Sequence, residues 1–360
     1  MRHEQAPHRA VLIPGDGVGP DVTDAAVRVL DAAGVHIEWD VHALGTSAVA
    51  LGLEALPESA LNAIRHFGVG LKGPTSASPN GEFRSVNIGL RRALGLFVQL
   101  RRCRTFSGVP TPFKNVDLLV VRETTEDLYG GVELALGEPG TAVLVRWLRA
   151  RGADLSEDAA LSVKPISAAA TRRAARFAFR SAVEAGRHRV TIVHKATVMC
   201  ATDGLFLRTC QQEASAFPSL EVEGALVDSV AAELVRRPAA ADVLLTMNLY
   251  GDILADLAGG VIGSIGLVAG ANYGDGIAVF EPAHGTAPRH AGQDRVNPAG
   301  MILSAALLLQ HIGEVSAAAR VEAAVAAVLE DGANVTYDVS PSTRSVGTSA
   351  MTDAIISRLR

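Results

Sequence analysis

The sequence predicts an α/β protein of two domains, a doubly wound and largely parallel sheet, and three observations carry that prediction. Strand-like aliphatic runs alternate with helical stripes almost throughout, the arrangement that covers both faces of a parallel sheet. The 360 residues, at roughly 150 per domain, give two domains and a large core. Hydrophobic residues make up 48% of the chain, yet its longest aliphatic run, around 301–309, falls well short of the ~20 residues that cross a bilayer, so a soluble chain is expected.

In chain order, residues 9–13 read as a buried strand. Pro20 and Asp21 suit a helix start, and Val22, Ala25, Val29 and Leu30 form an apolar stripe that Gly34 ends. Asp40 closes the next strand. Further strands are expected at 69–72, 116–122, 189–194, 243–247 and 277–280, with a helix at 168–185 among the connections. Between 128 and 149 the pattern turns to strand-like alternation, including 131–136 and 142–148, which predicts antiparallel pairing without a helix, some of it serving a subunit contact. Helices return at 298–311 and 316–330, and no fixed-period repeat or low-complexity linker separates the parts.

Charge and cysteine content exclude whole classes of function. Thirty-three basic against 38 acidic residues leave a net charge of −5, with no basic field to hold a nucleic-acid backbone or an anionic membrane. Cys103, Cys200 and Cys210 show no CxxC spacing, so they read as core thiols and not as a disulfide frame or zinc site. A strand is reached by Val11 without an apolar leader, which makes a cytoplasmic location the expectation.

Several constellations could carry chemistry. GDGVGP at 15–20, followed by Asp40, invites a dinucleotide reading, although Pro20 stands where that fingerprint has its third glycine and a steric turn explains the glycines equally well. Asp252 and Asp256 fall one helical turn apart, where like charges repel and a hard cation such as Mg²⁺ or Mn²⁺ would relieve them; two solvated acids near a helix start fit the same spacing. Arg91 one turn after Asn87, with Arg101 and Arg122 at strand positions, suits an anionic substrate gripped bidentately, though most arginines of so arginine-rich a chain must be solvated. Tyr129 and Lys195 each sit beside a strand end and could move protons. HGTAP at 284–288 offers backbone amides to a ligand, or is a plain turn.

Taken together, these segments resemble the isocitrate and isopropylmalate dehydrogenase family of metal-dependent β-decarboxylating dehydrogenases. The matching motifs are IPGDGVGP from Ile13, KGP from Lys72, SVNIGLR from Ser85, RETTEDLYGG from Arg122, HKAT from His194, NLYGDILADL from Asn248, HGTAPRHAGQDRVNP from His284 and TYD from Thr336. The resemblance implies a non-Rossmann doubly wound fold, with 1–95 plus 263–360 as a large cofactor-binding domain and 96–262 as a small domain carrying dimer contacts and metal ligands. It implies that Ser85, Asn87, Arg91, Arg101 and Arg122 hold substrate carboxylates and that Tyr129 and Lys195 handle protons. Asp228, Asp252 and Asp256 would hold Mg²⁺ or Mn²⁺. Lys72, Ser76, Glu281, His284, Gly285, Thr286, Ala287, Arg289, His290, Asn297 and Tyr337 would bind the nucleotide. Lys195 and Asp228 would serve the partner subunit's site, so a homodimer is implied.

Within that family the resemblance is greatest to isocitrate dehydrogenases. Polar Ser85 and Asn87 suit a third carboxylate where isopropylmalate-using members carry an apolar residue, which points to oxidative decarboxylation of isocitrate to 2-oxoglutarate. Arg289, in place of an acid that would take the ribose hydroxyls, with Val296 and Tyr337 further on, points to NADP before NAD. Pro341 departs from the NADP pattern, which has an arginine there; Arg344 follows three residues later. Thr124 and Arg102 depart as well, and leave homoisocitrate, a phosphonate analogue meeting Arg102, isopropylmalate or tartrate as alternative substrates. A non-catalytic regulatory subunit is the other alternative, against which stands the presence of every expected site residue.

Overall fold

A computed structural model describes residues 7–76, 85–340 and 344–359. Among them are twelve strands: β1 (His8–Ile13), β2 (Ile37–Val41), β3 (Val69–Lys72), β4 (Val98–Arg104), β5 (Asp117–Glu123), β6 (Glu133–Leu134), β7 (Leu161–Ser162), β8 (Arg189–His194), β9 (Glu221–Leu226), β10 (Val243–Thr246), β11 (Ala269–Tyr273) and β12 (Ala278–Pro282). The helices are α1 (Gly19–Ala32), α2 (Thr46–Ala50), α3 (Glu58–Phe67), α4 (Val86–Ala93), α5 (Pro139–Arg149), α6 (Ala168–Glu184), α7 (Thr202–Ala214), α8 (Val227–Arg236), α9 (Asn248–Val261), α10 (Ala299–His311), α11 (Val315–Asp331) and α12 (Thr348–Ser357).

Ten strands form one sheet in the order β2-β1-β3-β12-β11-β4-β5-β10-β8-β9. The outer pairs on both sides are parallel, as buried aliphatic strands joined through helices require. The three central pairings, β12–β11, β11–β4 and β4–β5, are antiparallel. The two parallel blocks therefore run in opposite directions and meet at the β11–β4 seam. Residues 1–95 with 263–360 supply the five strands on one side of it, and 96–262 the five on the other. The largest apolar core crosses the molecule, linking Val22 and Leu30 of α1 to Val120 of β5, Leu254 of α9, and Met301 and Leu309 of α10. The run 301–309 is thus a core helix, and no helix among the described residues is long and apolar enough to cross a membrane.

Three expectations need correction. Residues 142–148 are not a strand but lie in α5, which opens at Pro139 and buries Thr141 and Val145 one turn apart while Val143 and Trp147 face outward. Its Thr, Val and Trp content favours strands, and the four-residue spacing of its inward face overrides that preference. Only Glu133–Leu134 of that region is extended, pairing antiparallel with Leu161–Ser162. Cys103 and Cys210 are buried, but Cys200 is exposed.

Candidate active site

Period-two alternation brings a set of polar side chains onto one sheet face across the seam. Asn272, Gln99 and Arg122 stand directly opposite one another on β11, β4 and β5. Glu281 faces Gly270 across β12–β11, and Gly270 in turn faces Arg101. Lys72 lies one step beyond the Leu71–Phe280 pair, and its Nζ donates to Glu281 Oε2 at 2.7 Å. Asn272 Nδ2 donates to Glu281 Oε1 at 2.8 Å. From α4, Arg91 Nε donates to Asn272 Oδ1 at 3.0 Å and its Nη2 lies 3.4 Å from Glu281 Oε1. Burial alone would push the Glu281 carboxyl up, but the charges of Lys72 and Arg91 hold it well below the usual range.

Helix α9 closes the other side. Arg122, 2% exposed, donates from Nε and Nη2 to Asn248 Oδ1 at 2.9 and 2.7 Å, and from Nη1 to Asp252. Tyr129 donates its hydroxyl to the other oxygen of Asp252, and the Arg122 guanidinium lies 4.9 Å from the centre of its ring. Burial, reinforced by Arg91, lowers Arg122 to about 10. Burial and the bond to Asp252 raise the Tyr129 hydroxyl, which is therefore a proton donor at neutral pH. Arg101 bonds Gln99 Oε1 at 3.3 Å through Nε, but its Nη1 is buried without a partner. An orphaned cationic donor costs free energy unless an anion meets it.

Asp256 sits one turn after Asp252 on α9. Burial opposes ionisation of Asp252, but Arg122 and the Tyr129 hydroxyl bring its carboxyl below the ordinary value. Asp256 is raised, by burial first and by Asp252's charge, against the pull of Arg101. Two carboxylates one turn apart, one incompletely neutralised, form an oxygen-only donor pair that fits Mg²⁺ or Mn²⁺. Asp228 does not join them: no three His, Cys, Asp or Glu side chains among the described residues could hold one ion. Asp228 instead accepts from Lys195 Nζ at 2.6 Å, and both stand at the surface end of β8 and α8. That bond, more than any other influence, lowers the Asp228 carboxyl.

The nucleotide candidates gather around the opening loop. Gly15 and Gly17 have φ of +84° and +60°, and a Cβ on them would come within 2.3 Å of the Pro74 oxygen and 2.1 Å of the Thr286 oxygen. GDGVGP is therefore a steric turn fitted against the chain's own backbone, which removes the dinucleotide fingerprint reading. Buried Asp16 accepts from the amides of Thr46, Ser47 and Ser76, and Ser76 Oγ lies 3.2 Å from Thr286 Oγ1. The segments carrying Lys72–Ser76 and Gly285–Ala287 thus share one wall. Beyond it, the His290 and Tyr337 rings are 5.9 Å apart and Arg295 stands over Tyr337. Asn297 Nδ2 donates to Asp338 at 3.1 Å. His284 Nε2 and His290 Nδ1 are buried without partners, and Arg289 is exposed. Pro341 lies outside the described residues.

Ser85 precedes α4, and Asn87 on its first turn is 3.0 Å from the Thr75 hydroxyl. Arg102 is on the opposite sheet face from Arg101, paired with Asp117 and with Glu322 of α11. It cannot meet a substrate held by Arg101, which removes the reason for a phosphonate substrate. The Thr124 hydroxyl donates to the Leu96 oxygen at 2.8 Å. The sequence reading overlooked Gln99, Asn272 and Asn248, whose signal was a polar residue in an otherwise apolar run. It also overlooked buried Asp203, which accepts from the Lys195 amide at 2.7 Å, from Lys164 Nζ at 2.7 Å and from the Tyr250 hydroxyl at 3.1 Å.

Comparison with known proteins agrees with this geometry. The family described as "Isocitrate/isopropylmalate dehydrogenase" matches residues 9–355. The chain is 37% identical to "Isocitrate dehydrogenase [NADP]" of Archaeoglobus fulgidus, over 96% of this chain and 91% of that one. It is 36% identical to "Isocitrate dehydrogenase [NAD] subunit alpha, mitochondrial" of Homo sapiens, over 91% and 85% respectively. The crystal structure of isocitrate dehydrogenase from Methylococcus capsulatus superposes with a TM-score of 0.90 at 41% identity, covering 98% of this chain and 99% of that one. The chain belongs to the isocitrate/isopropylmalate dehydrogenase family, and it is an NAD(P)-dependent β-decarboxylating dehydrogenase of the isocitrate dehydrogenase type.

Proposed function

We propose that the chain oxidises and decarboxylates isocitrate to 2-oxoglutarate with NADP and Mg²⁺ or Mn²⁺. The observation that carries the substrate class is the convergence of Arg91, Arg101 and Arg122 over the sheet centre, with Arg101 Nη1 left without a partner. Three guanidiniums close enough for their charges to act on one another and on Asp252 suit a polyanion. Asn87 and Ser85, polar where an apolar substituent would leave them unpaired, favour a third carboxylate.

A bound nicotinamide would supply a hydride acceptor for the 2-hydroxy carbon, and a bound divalent cation would supply Lewis acidity for loss of the 3-carboxylate as CO₂. Asp252 and Asp256 of one copy, with Asp228 of a second, would hold the cation. In the same assembly the second copy's Lys195 takes the hydroxyl proton, and Tyr129, kept protonated beside Asp252, supplies the proton that completes 2-oxoglutarate. The surface position of the Lys195–Asp228 pair, apart from the carboxylates of α9, supports a homodimer with shared sites. The division of the sheet at the β11–β4 seam supports two domains, 1–95 plus 263–360 and 96–262. Arg289, His290 and Tyr337 favour the 2′-phosphate of NADP.

Initial rates with isocitrate, homoisocitrate, isopropylmalate and tartrate, each with NADP and with NAD in the presence of Mg²⁺, test the proposal. Isocitrate with NADP is expected to give the highest kcat/KM. A preference for isopropylmalate or for NAD would overturn the corresponding assignment.

A further inference from the structure

Gln99 is 1% exposed at the β11–β4 seam, and the polarity of its amide is dictated by its neighbours. Its Oε1 lies 3.3 Å from Arg122 Nη1 and 3.3 Å from Arg101 Nε, groups that can only donate. Its Nε2 lies 3.3 Å from Glu281 Oε1 and 3.4 Å from Asn272 Oδ1, groups that can only accept. One side chain therefore ties two of the three converging arginines, across the seam, to the carboxylate that Lys72 and Arg91 also hold.

No hydrocarbon and no carboxylate reproduces this. Leucine would strip Arg101 Nε of its acceptor and remove one of the contacts of Arg122 Nη1 and of Glu281 Oε1. A glutamate would keep the acceptor toward the arginines but set a second carboxylate against Glu281. Asparagine is shorter by one methylene and reaches one side at most. Arg101 depends on this contact most, since its side chain has no further hydrogen bond among the described residues, whereas Arg122 is held as well by Asn248 and Asp252 of α9 and by the Tyr129 ring.

We infer that Gln99 is a positioning residue that pre-orients Arg101 and Arg122 for an anionic substrate and couples them to the Glu281–Lys72 pair across the seam. This rests on the proposed function for its kinetic readout, though not for its binding readout. Preorganised donors lose less freedom when the anion arrives, so their loosening is read as affinity.

The full-length protein and its Q99L, Q99N and Q99E variants are compared by steady-state kinetics with isocitrate and Mg²⁺, by calorimetric titration with citrate as a tricarboxylate probe, and by thermal unfolding. For Q99L the KM for isocitrate and the Kd for citrate are expected to rise about tenfold or more, with kcat changed less than about threefold. Q99N is expected to fall between. For Q99E both constants should worsen further, relative to the unsubstituted protein, as pH rises and the new carboxyl ionises; protonated, it mimics the amide. Constants within twofold of the unsubstituted protein in Q99L, or a Q99E penalty independent of pH, would overturn the inference and leave Gln99 as packing. If Q99L does not fold, the isosteric Q99E pH profile decides alone. If the unsubstituted chain binds citrate but turns over none of the four substrates, the functional reading fails, while tenfold weaker citrate binding in Q99L still upholds the positioning role. If it binds no tricarboxylate, both are overturned.

Discussion

Asp252 is the residue on which the local chemistry turns, since it accepts from both Arg122 and Tyr129 and stands one turn before Asp256. Its negative charge helps to keep the Tyr129 proton in place, which is the state a proton donor needs. Tyr129→Phe and Lys195→Met are each expected to cut turnover by about a hundredfold or more, the scale of a lost general acid or base; near-normal rates in either would remove the assignment. Glu281 gives a stability prediction of definite sign. Its folded carboxyl is held below its unfolded value, so its stabilisation is present above the unfolded pKa of about 4.3 and fades as pH falls below it. Glu281→Gln should be less stable at neutral pH but lose less of its remaining stability between about pH 5 and about pH 3, followed by urea midpoints. An equal slope in both proteins would show that Glu281 carries no such linkage.

Helix α9 is placed by contacts far away in sequence. Asp127, buried and with φ of +69°, accepts from the Leu249 amide at 2.8 Å at the helix N-terminus, and Asn248 Nδ2 donates to the Glu126 oxygen. These fix the turn that presents Asp252. Gly251 lets α9 approach β5: a Cβ there would come within 2.3 Å of Thr246 Oγ1 and 2.6 Å of Arg122 Cγ. Gly251→Ala is therefore expected to destabilise by about 1–3 kcal/mol, measured by chemical unfolding, and to raise the substrate KM by displacing Arg122. Unchanged values for both would mean that the helix can shift freely. At this scale the sequence was readable where spacing sets position, as in the aspartates one turn apart on α9 and the arginines placed on α4, β4 and β5. It misled at α5, where strand-forming residues sit in a helix, whereas at GDGVGP the steric alternative already open in the sequence is the one the structure shows. It was silent on Gln99, Asn272 and Asp203, because their partners come from strands and loops that only the fold brings together.

For the whole molecule, the seam between two opposed parallel blocks is the feature no local pattern contains. Alternation along the chain predicted a sheet covered on both faces, but not that three antiparallel pairings at its centre would set Lys72 and Glu281 from one half against Gln99 and Arg122 from the other. Separation of Lys195 and Asp228 from the α9 carboxylates gives the proposed shared site a direct consequence. Lys195→Met and Tyr129→Phe chains refolded together should recover about a quarter of the unsubstituted rate, because half of the dimers are mixed and each mixed dimer holds one intact site; recovery no greater than either variant alone would argue for sites complete within one chain. The central claim is oxidative decarboxylation of a tricarboxylate, and it is tested most directly by counting CO₂ released against NADPH formed when the purified chain alone is given isocitrate, NADP and Mg²⁺. The account predicts one CO₂ for each NADPH, with both abolished by a chelator of divalent cations. NADPH without CO₂, or neither product with the cation present, would contradict it.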